Sequence, residues 1–223
     1  MCGRFELHSA FEIIARLFGL SGFSGTMPAG YNIAPGQDIA IIVNEDGKNR
    51  LTTCHWGFVP AWAKELKEGY KMINARVETV ATLPSFRDAF ANHRCLVPAD
   101  GFFEWKKTDK ARLPRLIRLR SGRPMGFAGL YNVWHSPEGE DVLTCTIITT
   151  SANEAVKMLH DRMPAILPEN AFDQWLDPGE HDAKKLLPLL RPCAPDEIEV
   201  YPVTPKMNSS KYNDPENIKP IPE

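Results

Sequence analysis

Hydrophobic and polar residues alternate over several stretches of this 223-residue chain, which is the pattern of half-buried β-strands. Residues 51–58 show it, residues 38–43 form an apolar run that also suits a strand, and the Asp46-Gly47 pair between them is typical of a tight hairpin turn. Further strands are predicted at residues 94–97, 102–106, 114–119, 125–131, 142–149 and 197–201. These strands are predicted to be joined by antiparallel connections.

Hydrophobic residues at helical spacing occur only in short segments. Phe11, Ile14 and Phe18 form one such repeat, and Ser9 followed by Glu12 predicts a capping box at its start. Other short helices are predicted at residues 85–92, 153–159, 168–175 and 182–190. Strands with interspersed short helices indicate an α+β fold. Because we find no linker and no repeat, we expect one domain over residues 1–223.

Composition narrows the class of protein. The content of 43% hydrophobic and 24% charged residues is that of a soluble globular protein. No apolar run reaches the ~18–20 residues of a membrane span, so we expect a cytoplasmic protein without a membrane partner. Five scattered cysteines without a CxxC pair favour a reducing compartment over a disulfide framework. With a net charge of −2, any nucleic-acid binding must come from a local patch.

The second residue of the chain is a cysteine. Removal of Met1 would leave Cys2 with a free α-amine, of pKa ~7.7–8.0, beside a thiol of pKa ~8.5. Such an aminothiol captures aldehydes, because the amine forms an imine and the thiol then closes a thiazolidine ring. The alternative is an incidental small residue at a frayed terminus, and Cys2 taken alone favours that alternative.

Two segments carry groups that could act on such an aldehyde. Asn74 can bond a sugar or orient the amine and Arg76 can hold a phosphate, although a turn Asn and a surface Arg explain them better locally. In a strand, Glu104 lies on the face opposite Phe103 and Trp105. Burial among aromatic residues would raise its pKa and make it a general acid or base. An exposed Glu on an edge strand is an equal alternative.

Two further candidates are a histidine and a pair of tryptophans. His160 is a natural proton shuttle near neutral pH, although capping of a helix C-terminus explains it slightly better locally. Trp56 and Trp62 can stack on bases, but tryptophans are more often core residues.

Established metal and nucleotide motifs are not found. The Cys and His residues near positions 54 and 94 match no usual zinc spacing, so we predict no metal site. The sequence also lacks a Gly-rich phosphate loop, a GxSxG elbow and an HExxH motif, and nothing indicates a cofactor.

Taken together, the motifs resemble the SOS-response-associated peptidase (SRAP) family of abasic-site processing proteins. The matching motifs, in order, are Met1-Cys2-Gly3-Arg4-Phe5, Tyr31-Asn32-Ile33-Ala34-Pro35, Trp56-Gly57-Phe58-Val59-Pro60-Ala61-Trp62, Ile73-Asn74-Ala75-Arg76, Pro84-Ser85-Phe86-Arg87, Arg94-Cys95-Leu96-Val97-Pro98-Ala99-Asp100-Gly101-Phe102-Phe103-Glu104-Trp105 and His160-Asp161-Arg162-Met163-Pro164. The resemblance implies a single α+β domain around a barrel-like antiparallel sheet, with a positively charged groove for single-stranded DNA.

The resemblance also implies roles for individual residues. After Met1 is lost, Cys2 attacks the ring-opened aldehyde of an abasic site and forms a thiazolidine crosslink that shields the lesion. Asn74 positions the N-terminus and the sugar, Glu104 moves protons and assists removal of Met1, and His160 is a second acid or base. The implied DNA contacts are Arg4, Pro35, Trp56, Trp62, Arg76, Arg87 and Trp105.

The sequence also leads to expectations about binding partners and about alternative functions. We expect a monomer that binds single-stranded DNA containing abasic sites, with replication-fork proteins as further candidate partners. Residue 209 is Ser where the family commonly has a second Asn, which weakens a DNA-contacting role for residues 206–210. The competing readings are an N-terminal-nucleophile peptidase or amidase with Cys2 as nucleophile, and a non-covalent reader of damaged DNA.

Overall fold

Strands form most of the regular structure, as the alternation predicts. The computed structural model describes residues 2–21, 27, 30–109 and 111–222. In these ranges, strands β1–β13 span Phe5–Leu7, Gly30–Ile33, Asp38–Glu45, Lys48–Trp56, Asn74–Arg76, Arg94–Ala99, Gly101–Lys107, Arg112–Leu119, Met125–His135, Asp141–Ser151, Arg162–Pro164, Ile166–Leu167 and Ile198–Pro202. Helices α1–α5 span Phe11–Leu17, Arg87–Asn92, Glu154–Lys157, Phe172–Leu176 and Ala183–Leu186. Short 3-10 helices span Leu66–Lys71, Glu169–Ala171, Leu187–Leu189, Pro195–Glu197, Pro205–Asn208 and Pro215–Ile218.

Five strands close into a barrel in the order β3-β4-β10-β9-β6, because β6 pairs with β9 on one side and β3 on the other. The α+β fold around a barrel-like sheet is therefore confirmed. One pairing of the barrel, β4 with β10, is parallel, with Thr144 opposite His55. The long chain segment between these two strands permits a parallel pairing, which alternation within each strand cannot predict.

A second, antiparallel sheet packs against the barrel in the order β13-β8-β7-β1-β2. The ring of Phe5 on β1 meets Trp56 and Phe127 of the barrel edge-on, at 5.2 and 6.2 Å between ring centroids. Phe102 on β7 contacts Phe127 in the same way at 6.0 Å. One hydrophobic core thus extends across both sheets and fixes β1 and β7 on the barrel.

The turn chemistry of the first hairpin is confirmed, whereas the first helix cap is not. Asp46 and Gly47 have φ of 52° and 76°, the left-handed pair that a type I′ turn requires between β3 and β4. Helix α1 begins after Ala10 without a side-chain cap, so the capping box from Ser9 is wrong. The Ser9 main-chain N–H and hydroxyl both donate to Asp100 instead.

The sequence pattern does not predict several very short strands. Strands β1, β2, β5, β11 and β12 have two to four residues each, too few to show a period. The remaining predicted strands and helices are present with shifted ends. Among the described residues, no helix combines the length and apolar character that a membrane crossing requires.

Candidate active site

Cys2 lies just before β1 and is completely buried. The Asn74 side chain holds it, since Asn74 Nδ2 donates to the Cys2 carbonyl at 2.8 Å. Asn74 starts β5, which exists because it pairs in parallel with β10, Asn74 opposite Ile147. The main chain at Cys2 is thereby tied to the barrel wall, and the structure brings together two of the predicted residues.

Glu104 lies on β7, the strand next to β1. Phe103 donates its N–H to the Arg4 carbonyl at 2.9 Å, which places the two strands side by side at this point. Phe102 faces the main core and Phe103 faces a smaller cluster on the other side of the sheet. By alternation Glu104 shares the face of Phe102, toward Cys2, and it is only 4% exposed. The prediction that Phe103 and Trp105 share the opposite face is confirmed.

Burial sets the protonation of this carboxyl group. It raises the pKa of Glu104 from 4.5 to about 7, and the negative charge of Asp161 adds to the increase. A carboxyl group that is about half protonated at neutral pH can both donate and accept a proton. Of the two local readings of Glu104, the buried acid or base is therefore the one that the geometry favours.

The thiol of Cys2 is held in its neutral form. Burial, followed by the negative charge of Glu104, raises the pKa of this thiol from 9.0 to about 12. Its Sγ points toward the Arg4 carbonyl at 4.0 Å. Because the thiolate is the reactive form of cysteine, Cys2 needs a base at the moment of attack.

His160 lies in the turn between α3 and β11. Its Nδ1 accepts the Arg162 main-chain N–H at 2.9 Å and lies 2.7 Å from Asp161 Oδ1. Burial lowers the pKa of His160, so its imidazole is neutral near pH 7. A neutral ring lacks the charge that would favour it at a helix C-terminus, and it can exchange a proton near pH 7.

Arg162, which the sequence offers together with Asp161 as a residue that could tune His160, has a partner that the sequence does not indicate. Arg162 makes a two-pronged contact with Glu78, at 2.5 and 3.0 Å, and also donates to the Thr149 carbonyl at 2.6 Å. This contact fixes the turn that carries His160 against the end of β5. The only sequence signal for it is that Arg162 and Glu78 both lie in or beside the motifs that carry the resemblance.

Four predicted DNA contacts lie where a ligand can reach them. Trp62 is 62% exposed, and Arg76, at the end of β5, is also exposed. Arg87 begins α2 and lies 3.6 Å from Asp88, while Pro35 follows β2 and is half-buried. Exposure agrees with these four predictions without testing them.

Three other predicted contacts are engaged inside the protein. Trp56 is completely buried and donates its Nε1–H to the Ile73 carbonyl at 3.0 Å, so the predicted stacking surface is corrected to a core residue. Arg4 donates from Nη1 to Asn32 Oδ1 at 2.6 Å and to the Met207 carbonyl at 3.1 Å, so this nitrogen is engaged within the protein.

Trp105 is half-buried, and its Nε1–H is already donated to Asn208 Oδ1 at 2.7 Å. Its indole nitrogen is thus engaged within the protein.

One group of three described residues has its ligand atoms close enough to hold a metal ion: Glu6, His8 and Asp100. Their lone pairs are used within the protein. His8 Nδ1 lies 2.6 Å from Glu6 Oε2, and Asp100 accepts the main-chain N–H groups of His8 and Ser9. The group therefore fastens the end of β1 to the β6–β7 turn.

The fold is shared with solved structures. A crystal structure of a protein from Bacteroides thetaiotaomicron superposes with a TM-score of 0.88 at 24% identity, covering 99% of this chain and 100% of that one. A protein from Bordetella bronchiseptica superposes with a TM-score of 0.80 at 26% identity, covering 91% and 100%.

Relatives with similar sequences carry a common name. The abasic site processing protein YoqW of Bacillus subtilis (strain 168) is 46% identical over 222 residues, covering 98% of this chain and 99% of that protein. The abasic site processing protein HMCES of Mus musculus is 28% identical, covering 99% and 76%. The profile described as "SOS response associated peptidase (SRAP)" matches residues 1–210. The chain therefore belongs to the SRAP family.

Proposed function

We propose that this protein processes abasic sites in single-stranded DNA by forming a covalent crosslink through Cys2. The observation that carries the proposal is the placement of Cys2, which Asn74 holds beside the buried carboxyl of Glu104. The names of YoqW and HMCES support the same substrate. An aldehyde is the reactive group that a ring-opened abasic site offers, and an N-terminal aminothiol is well suited to capture it.

The first step is imine formation. Removal of Met1, a residue outside the described part of the chain, frees the α-amine of Cys2. The amine adds to the aldehyde carbon, and Glu104 donates its proton to the resulting hydroxyl, which leaves as water. The nitrogen, which has passed one of its two protons to the aldehyde oxygen and keeps the other, is now doubly bonded to the carbon as an iminium that links protein and DNA, and Glu104 is left as a carboxylate.

The second step closes the ring. The carboxylate of Glu104 accepts the Cys2 thiol proton, so the sulfur attacks the imine carbon as a thiolate. The electron pair of the double bond moves to nitrogen, which keeps the proton it already carries, and Glu104 ends protonated, as it began. The product is a thiazolidine, and the whole sequence releases one water. A base next to the sulfur is needed because burial keeps this thiol protonated.

The remaining site residues bind and orient the strand. His160, neutral near pH 7, exchanges a proton with the sugar oxygen or a phosphate. Arg76 and Arg87 contact phosphates, and Trp62 offers a face to a base. A few such cations along one groove bind DNA although the net charge is −2.

A denaturing gel tests the crosslink directly. Purified protein is mixed with single-stranded DNA that carries one abasic site, and we expect a shifted band that survives denaturation. The mass of the product should equal protein without Met1, plus DNA, minus one water. Cys2→Ala should abolish the band, whereas the matched variant Cys193→Ala, at a half-buried thiol outside the site, should keep it.

Two other results would reject the proposal. Repeated cleavage of peptide substrates without a stable band would identify an N-terminal-nucleophile peptidase. Full binding and protection of abasic DNA by Cys2→Ala would identify a non-covalent reader.

A second measurement addresses Met1. Intact mass spectrometry of the wild type and of Glu104→Gln reports whether Met1 is absent from each. Retention of Met1 in the variant alone supports removal by the protein's own site, and loss from both assigns removal to another enzyme.

A further inference from the structure

We infer that residues 207–213, here named the C-terminal strap, set the position of β1 relative to β7 at the reacting end of the two strands. Asn32 and Asn208 are then positioning residues for the crosslinking reaction. The inference rests on the proposed roles of Cys2 and Glu104.

The first half of the argument is the contact of the strap with the strand of the nucleophile. Arg4, two residues after Cys2, donates to both Asn32 and the strap carbonyl of Met207. Asn32 is 2% exposed, and its Nδ2 lies 3.0, 3.0 and 2.7 Å from the carbonyls of Met207, Ser209 and Tyr212. A single buried amide therefore joins β2, Arg4 and three residues of the strap.

The second half is the contact of the strap with the strand of the acid. Trp105, adjacent to Glu104, donates its indole N–H to Asn208 Oδ1 at 2.7 Å. The Met207 side chain is completely buried in the cluster that contains Phe103 and Leu116. The strap thus contacts residues on both sides of Glu104.

The strap is itself anchored at its far end. Tyr31 donates its main-chain N–H to Asn213 Oδ1 at 2.6 Å, and Asn217 donates its side-chain N–H to the Tyr212 carbonyl at 2.8 Å. Asn217 is completely buried. The strap is therefore fixed at several points along its length.

The strands alone define the Cys2–Glu104 geometry weakly. The ladder between β1 and β7 contains the pairs Phe5–Phe102 and Glu6–Gly101, so both reacting residues lie beyond its end. Reacting groups must be held within a fraction of an ångström for efficient catalysis. The contacts of the strap extend the support past the end of the ladder, where the chemistry takes place.

The test separates the rate of crosslinking from DNA binding. The rate is measured at saturating single-stranded DNA with an abasic site, and affinity is measured with DNA that carries a tetrahydrofuran analogue without an aldehyde. Asn208→Ala should slow crosslinking about fivefold to tenfold through misplacement of the reacting groups. Its affinity for the analogue should stay within twofold or so of the wild type, because the strap acts on geometry.

Conservative variants identify the bond. Asn208→Asp keeps an acceptor oxygen for Trp105 and should restore the rate. Trp105→Phe removes the donor and should crosslink slowly. Adding Asn208→Asp to Trp105→Phe should not increase the crosslinking rate. Asn92→Ala, at an exposed asparagine of α2, is the control and should match the wild type.

Each outcome bears on the inference. A wild-type rate in Asn208→Ala overturns it, and so does a loss confined to affinity, which would make the strap a DNA-binding element. Asn32→Ala should also crosslink slowly. If that variant unfolds, the variants of the exposed residue Asn208 decide the question. Absence of a crosslink from the wild type would overturn the proposed function and this inference with it.

Discussion

The barrel and the site beside it are stabilised in different ways. Three pairings of the barrel, β3–β4, β6–β9 and β9–β10, extend over six or more residue pairs each, and most of the buried side chains on these strands are hydrophobic. The site is built from short strands and turns, and its parts are joined by single side-chain hydrogen bonds such as that from Asn74 to Cys2. Hydrophobic area thus stabilises the barrel, whereas individual polar contacts fix the site.

This difference predicts which substitutions should change the free energy of unfolding and which should change the crosslinking rate. Loss of buried apolar contact in the barrel should reduce the free energy of unfolding, with the chemistry of the folded molecules unchanged. Loss of a polar group in the site should reduce the rate with little loss of stability, and in one case it should increase stability. The predictions below follow this division, from the largest effect to the smallest.

Phe127→Ala should have the largest effect, because its ring contacts both Phe5 and Phe102 at the interface of barrel and second sheet. We expect the free energy of unfolding to fall by ~3–5 kcal/mol in urea denaturation. Val133→Ala, at an exposed position on the same strand, should change it by less than ~0.5 kcal/mol. A loss below ~1 kcal/mol in Phe127→Ala would contradict the role assigned to the core.

Glu104→Gln should separate chemistry from stability. The crosslinking rate should fall about 100-fold or more, since the acid and base is lost. The folded pKa of about 7 lies above the unfolded value of 4.5, so the stabilisation from proton binding is present below pH 4.5 and is lost as pH rises to 7. Above pH 7 the wild type therefore keeps a costly buried carboxylate that the variant lacks.

The measurement is the free energy of unfolding of both proteins at several pH values. Glu104→Gln should be more stable than the wild type by ~2–3 kcal/mol at pH 8, and the difference should vanish toward pH 4.5. Equal stability of the two proteins at both pH values would show that folding does not raise the pKa of Glu104.

Asn74→Ala should slow crosslinking by ~10-fold or more, because the Cys2 carbonyl loses its donor and the nucleophile is no longer held. The free energy of unfolding should fall by only ~1 kcal/mol, the usual effect of one hydrogen bond. Asn74→Asp, which keeps the shape but not the donor, should be as slow as the alanine variant. An unchanged crosslinking rate in both variants would show that Asn74 does not position Cys2 for the reaction.

Arg76→Ala should have the smallest effect and should act on DNA binding. We expect the slope of log affinity against log salt concentration to fall by ~1, since one phosphate contact is lost. Arg50→Ala, where Arg50 pairs with Glu45 at the far end of the β3–β4 hairpin, should leave the slope unchanged. The same slope in Arg76→Ala and the wild type would place the phosphate contact elsewhere.

The sequence predicts the barrel better than the site for the same physical reason. Runs of apolar and β-branched residues mark β3 and β10, and the Asp46-Gly47 turn marks a hairpin, because both signals are local. Strands β1 and β5 have three residues each and are formed by pairing with distant segments, which no local pattern records. The motifs and the resemblance identified Cys2, Asn74, Glu104 and His160 as residues, but not their contacts.

The same limit explains the errors. Ser9 has the spacing of a helix cap, yet the Asp100 carboxylate, 91 residues away, is the partner that it bonds. Arg4 has the charge of a phosphate contact, yet one nitrogen of its guanidinium, Nη1, already donates to Asn32 and Met207. Trp56 has the ring of a base-stacking residue, yet hydrophobic burial places it in the core. In each case a tertiary contact decides the role of a residue type that has several uses.

The C-terminal strap also has a consequence for the order of events during synthesis. Cys2 leaves the ribosome well before Asn208, which contacts the tryptophan next to Glu104. The site is therefore incomplete while the chain is being made, although its N-terminus is already accessible to other enzymes. If the strap acts as inferred, removal of Met1 that depends on Glu104 has to follow completion of the strap, and any removal during synthesis has to be carried out by a separate enzyme.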